Sequence, residues 1–139
     1  MHNDITFSII KPDAMASNNA GKIFARINEA GFKIAALKLL HINRQQAEEF
    51  YAVHRERPFF PGLVEFMSSG PVIVMVLRHD NAVDEFRSLI GSTDPTKADQ
   101  GTIRAAFGTS VQKNAVHGSD SPENALREAG FFFSSIEIF

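Results

Sequence analysis

The sequence predicts an α+β fold of the ferredoxin-like β-α-β-β-α-β kind. Its four-stranded antiparallel sheet carries helices on its faces and additional inserted helices. Three observations point there. Residues 72–77, Val-Ile-Val-Met-Val-Leu, form a continuous apolar run, the pattern of a strand buried on both faces and central in a sheet. Strand-like and helix-like stretches follow the order strand, helix, strand, helices, strand, helix, loop, helix, strand. No internal repeat, low-complexity tract or linker interrupts the 139 residues, a length that suits one domain, 1–139, with one sizeable core.

Ile5-Thr6-Phe7-Ser8-Ile9 alternates apolar and polar, as a half-buried strand does, and Lys11-Pro12-Asp13 ends it because proline gives nothing to a ladder. A lysine at a strand end suits a cleft, and equally a solvated turn. Residues 18–30 read as a helix with Ile23, Phe24, Ile27 and Ala30 on its stripe and Gly31 as its stop. Residues 32–42 form the second strand, although Ala35-Ala36-Leu37 would also suit a helix. Asn43-Arg44-Gln45-Gln46 has the form of a capping box, followed at helical spacing by Ala47, Phe50, Tyr51 and His54.

Arg57-Pro58-Phe59-Phe60-Pro61-Gly62 breaks that helix. Its adjacent phenylalanines read two ways: a hydrophobic staple for the next helix, or a partly exposed surface on which a flat heterocycle stacks. A short helix is expected over 63–69, with Leu63, Phe66 and Met67 inward. An amphipathic one is expected over 81–90, with Val83, Phe86 and Leu89 inward and Arg87 off the stripe. Residues 92–100 are a polar loop, and Thr102 caps one helical turn. A helix over 121–129 starts at a Ser121 cap with Pro122 behind it and stops at Gly130. Phe131-Phe132-Phe133 with Ile136-Glu137-Ile138 supplies a last strand and tail.

The net charge of −2 implies no global attraction to nucleic acid or an anionic membrane. With no cysteine, a disulfide, a thiolate nucleophile and a cysteine-based zinc site are excluded. Met1-His2-Asn3-Asp4 does not begin a signal peptide, and the longest apolar run is too short to span a bilayer, so a cytoplasmic protein is expected.

The chemistry centres on Asn114-Ala115-Val116-His117-Gly118-Ser119-Asp120. An imidazole serves as base, metal ligand or nucleophile, and its neighbours decide which. Gly118 is expected to let a large ligand approach the ring, with Ser119 and Asp120 able to fix the ring's direction. The chain has no Gly-x-x-x-x-Gly-Lys-Ser/Thr loop, so a phosphate site must be assembled from dispersed donors. Those available are Lys11, Tyr51, Arg57, Arg87, Thr93, Arg104 and Asn114. His2, His41, His54 and His79 sit at a terminus or near element ends and read as non-catalytic.

The His-Gly-Ser-Asp stretch preceded by Asn-Ala-Val resembles the active-site signature of the nucleoside diphosphate kinases. The resemblance runs along nearly the whole chain, in five ordered blocks: Phe7-Ser8-Ile9-Ile10-Lys11-Pro12-Asp13, Arg57-Pro58-Phe59-Phe60, Ser69-Gly70-Pro71-Val72, Gly101-Thr102-Ile103-Arg104 and the His117 stretch. It implies that His117 takes the γ-phosphoryl group on its Nδ1 (pros) position and that Glu128, with Ser119 beside it, orients the ring. It further implies that Lys11, Tyr51, Arg87, Thr93, Arg104 and Asn114 hold phosphates and ribose. Phe59 stacks on the base, and Val111 touches its other face.

The implied reaction is a ping-pong transfer from a nucleoside triphosphate, typically ATP, to a nucleoside diphosphate. Base and sugar tolerance is broad, because stacking reads every base alike. Mg²⁺ is the implied cofactor, bound mainly through nucleotide phosphates and water. The implied assembly is a homo-oligomer, a tetramer or hexamer built from dimers. No membrane or specific nucleic-acid partner is expected. The chain departs from the family pattern at Ala106, where aspartate is usual, at Asp94, where asparagine is common, and in its short tail after Phe133.

Two other readings compete. A nucleotide-binding regulatory module would not need a His117–Glu128 pair. A ferredoxin-like RNA-binding domain would need an exposed aromatic strand and a basic face, and the chain shows neither.

Overall fold

In the computed structural model, residues 3–139 are described; Met1 and His2, and with them the readings of the extreme N-terminus and of His2, lie outside the described residues. The sheet has the strand order β2-β3-β1-β4, formed by β1 (Ile5–Ile10), β2 (Lys33–Leu40), β3 (Val72–Arg78) and β4 (Val116–Gly118). Every neighbouring pair is antiparallel. β3, the continuous apolar run, lies inside the sheet, and its first six residues are buried. The ambiguous second segment is a strand. It carries a register shift between Ile34 and Ala36, which lets both Ala35 and Ala36 be buried.

β1 corrects the first expectation. All six of its residues are buried, Thr6 and Ser8 included, because helices cover both faces of the sheet. On one face Phe7, Ile9, Val72, Val74 and Val76 pack with α3 (Arg44–Phe50), α4 (Phe60–Met67) and α7 (Pro122–Phe132). On the other, Ile10, Ile73, Met75 and Leu77 pack with α2 (Ala20–Glu29), α5 (Ala82–Ile90) and α6 (Ile103–Phe107). A short α1 (Pro12–Ala16) follows β1 directly: Pro12 ends the strand by starting a helix, where a missing N–H costs nothing.

The caps are as the sequence reads them. Asn43 and Gln46 form a reciprocal capping box at 2.8 and 2.9 Å, Thr102 accepts from the Ala105 amide, and Ser121 accepts from the Asn124 amide. Three details differ. α3 ends at Phe50 with Tyr51 as its cap, still buried beside Ala47 and Phe50, and a 3₁₀ turn over Ala52–His54 takes His54 off the helical stripe. α4 begins at Phe60 with Pro61 in its first turn; it buries Phe60, Val64 and Met67, and Leu63 and Phe66 pack partly buried against the same core. In α5, Ile90 is buried and Leu89 only partly so.

The largest difference is the last strand. Phe131 and Phe132 belong to α7, which runs through Gly130, and Ser135–Glu137 is a 3₁₀ turn. The fourth strand is the His117 stretch itself. A glycine inside a helix costs about 1 kcal/mol. Carrying the helix through Gly130 seats the partly buried Phe132 parallel to Phe7, with ring centroids 5.5 Å apart, and against Phe50, which offsets that cost.

Candidate active site

Strand register decides where His117 points. β4 pairs with β1 so that His117 faces Ile9, Val116 faces Ile10 and Gly118 faces Ser8. Directly opposed residues share a face, so His117 projects with Ile9 toward α3 and α7, while Val116 and Gly118 turn toward α5. A slip of one residue would bury the imidazole on the wrong side. Packing alone requires a glycine at 118, and the same residue also lines the cleft beside His117. A Cβ there would lie 2.9 Å from Ile90 Cδ1 and 3.1 Å from Phe86 Cδ2, on the face away from the ring.

The ring is held on several sides. Phe7, Phe50 and Tyr51 meet it edge-on at centroid distances of 6.0, 5.7 and 6.5 Å. Nε2 lies 3.0 Å from Glu128 Oε1 on α7. The Ser119 hydroxyl donates to that same oxygen at 2.7 Å and accepts from the Phe7 amide at 3.1 Å. Ser119 therefore acts on the ring through Glu128, not directly. Asp120 does not bond the ring either. It accepts from Asn124 Nδ2 at 2.6 Å, and this donation is the chief reason its carboxyl sits below the usual range. With Nε2 engaged by a carboxylate, Nδ1 is the ring nitrogen left for chemistry.

A cleft of about 760 Å³ opens in front of this ring. Lys11, Tyr51, Arg87, Thr93, Arg104 and Asn114, all expected from the sequence to hold phosphate or ribose, line it. So do Phe59, Val111, His117 and Glu128, whereas Ser119 stands behind Glu128 and Arg57 is not in the wall. Residues as far apart in the chain as Lys11 and Glu128 thus meet because β1 and β4 are neighbours and α7 packs on β1. Sequence reasoning did not single out Arg127, which also lines the cleft and lies 3.7 Å from Glu128 Oε2. Its place directly before Glu128 is the one signal that could have found it.

The cationic end is a connected set of bonds. Lys11 is buried at the end of β1 and donates to Asn114 Oδ1 at 2.7 Å, and Asn114 Nδ2 donates to the Thr93 carbonyl at 3.0 Å. Arg104 reaches from α6 to the Gly91 and Val116 carbonyls at 3.0 and 2.9 Å. Burial pulls the Lys11 ammonium down to about 8, helped by the nearby Arg104 and opposed by Asp13. Arg104 is lowered to about 10 by burial and then by Arg87, and it stays charged at neutral pH. The Tyr51 hydroxyl is buried without a partner and lines the cleft. Burial, and then Glu128, push its ionisation upward, so it remains a donor. Paired cations and an orphaned hydroxyl around a nucleophile-capable ring suit a polyanion.

The far end is different. Phe59 and Val111 are 52% and 56% exposed, so Phe59 offers a surface, while Phe60 is buried at the head of α4. Asp94 caps the Pro95–Lys97 turn by accepting from the Thr96 amide at 3.0 Å, a role asparagine fills as well. Ala106 is exposed on α6.

Comparison with known proteins agrees with this architecture. The family model described as nucleoside diphosphate kinase matches residues 4–138. A nucleoside diphosphate kinase of Nitrosomonas europaea is 57% identical over 133 residues, 96% of this chain and 94% of that protein. One of Nitrosomonas eutropha is 55% identical over 134 residues, 96% and 95% of the two chains. Among solved structures, the Aquifex aeolicus nucleoside diphosphate kinase superposes with a TM-score of 0.95 at 50% identity, over 98% of this chain and 99% of that one. The Halobacterium salinarum enzyme, solved in complex with CDP, gives 0.94 at 38% identity, over 99% and 92%. The chain belongs to the nucleoside diphosphate kinase family of phosphotransferases. Among the described residues, no helix is long and apolar enough to cross a membrane.

Proposed function

We propose that the chain, acting as one domain over residues 1–139, moves the γ-phosphoryl group between nucleotides in two half-reactions through His117. The observation that carries this reading is the Glu128–His117 pair, with Nε2 engaged and the ring in the wall of a cation-lined cleft. In the first half-reaction the Nδ1 lone pair attacks the γ-phosphorus, the bond to the bridging β-phosphate oxygen breaks, and a nucleoside diphosphate leaves. The proton on Nε2 stays hydrogen-bonded to Glu128, which stabilises the positive charge growing on the ring. In the second, the terminal oxygen of an incoming diphosphate attacks phosphohistidine and Nδ1 departs. One site serves both steps, because each leaving group resembles the next acceptor.

Lys11, Arg104 and Asn114 hold phosphate oxygens, with Tyr51, Arg87 and Thr93 completing the contacts to phosphate and ribose. Phe59 stacks on the base, and Val111 covers its other face. This end presents no buried hydrogen-bonding group matched to one base, which supports broad base tolerance.

Mg²⁺ is the proposed cofactor. Among the described residues no three histidine or carboxylate side chains gather to hold a metal, and besides Glu128 the cleft offers the carboxylate of Asp120 alone. Such a donor set fits an ion that arrives on the nucleotide phosphates and keeps several waters. When bound, it neutralises charge on the phosphates being separated.

The proposed assembly is a homo-oligomer, a tetramer or hexamer built from dimers. β2 is an edge strand with Ile34, Leu37 and Leu39 exposed, the kind of apolar edge that a partner covers. The proposed compartment is the cytoplasm, where nucleotide pools are used, with no membrane or specific nucleic-acid partner.

The test is a phosphoenzyme assay. Protein incubated with Mg²⁺ and γ-labelled ATP should acquire acid-labile label that chases onto GDP and UDP alike, and His117→Ala should acquire none. Label on the His117→Ala variant would sink the proposal.

A further inference from the structure

Asp13 has no part in the mechanism above, yet it touches the backbone between two residues that do. Ala115 sits in the left-handed region with φ +76°, is fully buried, and is not glycine. The Val116 amide donates to the Asn114 carbonyl at 2.9 Å, so Ala115 is the centre of a three-residue turn. A turn closed in this way with positive φ is strained and persists only where the surroundings enforce it. Two bonds enforce it here. The Asp13 carboxylate accepts from the Ala115 amide at 3.1 Å, and the Ala115 carbonyl accepts from the Lys11 amide at 2.9 Å. Lys11 and Asp13 flank Pro12 at the junction of β1 and α1, a rigid support.

On one side of the turn Asn114 holds the Lys11 ammonium and the Thr93 carbonyl. On the other, two residues on, is His117.

We propose that Asp13 is a positioning residue for phosphoryl transfer: by holding the Ala115 amide it fixes the strained turn that sets Asn114 and His117 against each other. The inference rests on the proposed roles of those two residues. Asp13 also favours the charged form of Lys11, against burial and Arg104, so its loss weakens the same end of the cleft twice.

The experiment measures single-turnover phosphoenzyme formation with γ-labelled ATP in wild type, Asp13→Ala, Asp13→Asn, Ala115→Gly and the double variant Asp13→Ala/Ala115→Gly. Misplacement of a reacting group by about 1 Å costs up to roughly 100-fold, so Asp13→Ala should slow the chemical step by about 10- to 100-fold with a smaller change in nucleotide Kd. Asp13→Asn, whose carboxamide oxygen still accepts from the Ala115 amide, should recover most of that loss. Ala115→Gly should cost less than about threefold alone. On the Asp13→Ala background it should restore activity by about fivefold or more, because glycine adopts the left-handed conformation without a clamp. That rescue is the reading a merely structural role would not produce.

Where Asp13→Ala does not accumulate as folded protein, Asp13→Ser, too short to hold the amide, carries the same comparison. Additive losses in the double variant, or a wild-type rate in Asp13→Ala, would overturn the proposal. Absence of label on wild type would instead overturn the His117 reading, so the two failures are distinct.

Discussion

The two ends of the cleft are built by opposite means. At the proposed phosphate end Lys11, Arg104 and Asn114 are 7%, 9% and 2% exposed and tied to one another or to backbone carbonyls, while at the proposed base end Phe59 and Val111 are more than half exposed. Fixed donors in a dry site discriminate strongly, because an ill-fitting group leaves them unpaired. An open aromatic face discriminates weakly, since any base stacks on it. On the proposed assignment, the chain places its most ordered donors where all nucleotides are alike.

Replacing His117 by alanine should have the largest effect. Loss of the attacking atom should lower turnover on the order of 10⁴-fold or more, by analogy with other nucleophile knockouts, while nucleotide still binds. A variant with unmeasurable binding would show that the ring, and not the cations, organises the phosphate end. Arg104→Ala comes next. One preorganised donor is worth roughly 10²–10³ in kcat, and here two carbonyls also lose their partner. Arg104→Lys should recover only part, since one ammonium does not reproduce the guanidinium fork. Equal losses for all nucleoside triphosphates would confirm that this end does not read the base.

The pH dependence tests the buried cation. Lys11, lowered to about 8, loses its charge as pH rises past that value, so kcat/KM should fall above about pH 8. Bound phosphate favours the ammonium, so the fall in kcat should come at higher pH. Folding responds with the opposite sign. Between about 8 and the ordinary lysine value of 10.5 the unfolded chain binds more protons than the folded one, so this group's contribution to stability rises with pH. Thermal melts and rates on one pH series check both signs, and Lys11→Met should remove both effects.

Phe59→Ala should matter least. A single half-exposed stack is worth about 1 kcal/mol, or roughly fivefold in KM, with kcat little changed. Parallel increases for ATP, GTP, CTP and UTP are expected. A loss confined to one base would show that the open end reads more than a flat surface.

Much of this was legible in the chain. The apolar run that became β3, the Asn43–Gln46 capping box and the Thr102 and Ser121 caps all rest on local physics, and local physics is written in neighbouring residues. β4 was not legible, because three residues are too few to show an alternation and its partner strand lies more than a hundred positions away. The end of α7 was misread because Gly130 is a local stop signal, and the packing of Phe132 on Phe7 that overrides it is not local. Ser119 was associated with the ring in sequence, yet its bond goes to Glu128, a partner supplied by α7.

The sequence by itself determined the secondary elements with strong periodicity, the family, and the list of groups available to hold phosphate, because residue types and spacings carry that chemistry directly. Only the tertiary structure decided which face His117 takes, that Gly118 leaves room for Phe86 and Ile90 of α5, and that Lys11 loses much of its basicity. It alone disclosed that Asp13 reaches a strained amide at Ala115. The physical reason is common to all four. Register, desolvation and backbone strain arise from neighbours brought together by folding, and no stretch of chain holds those neighbours in its own sequence.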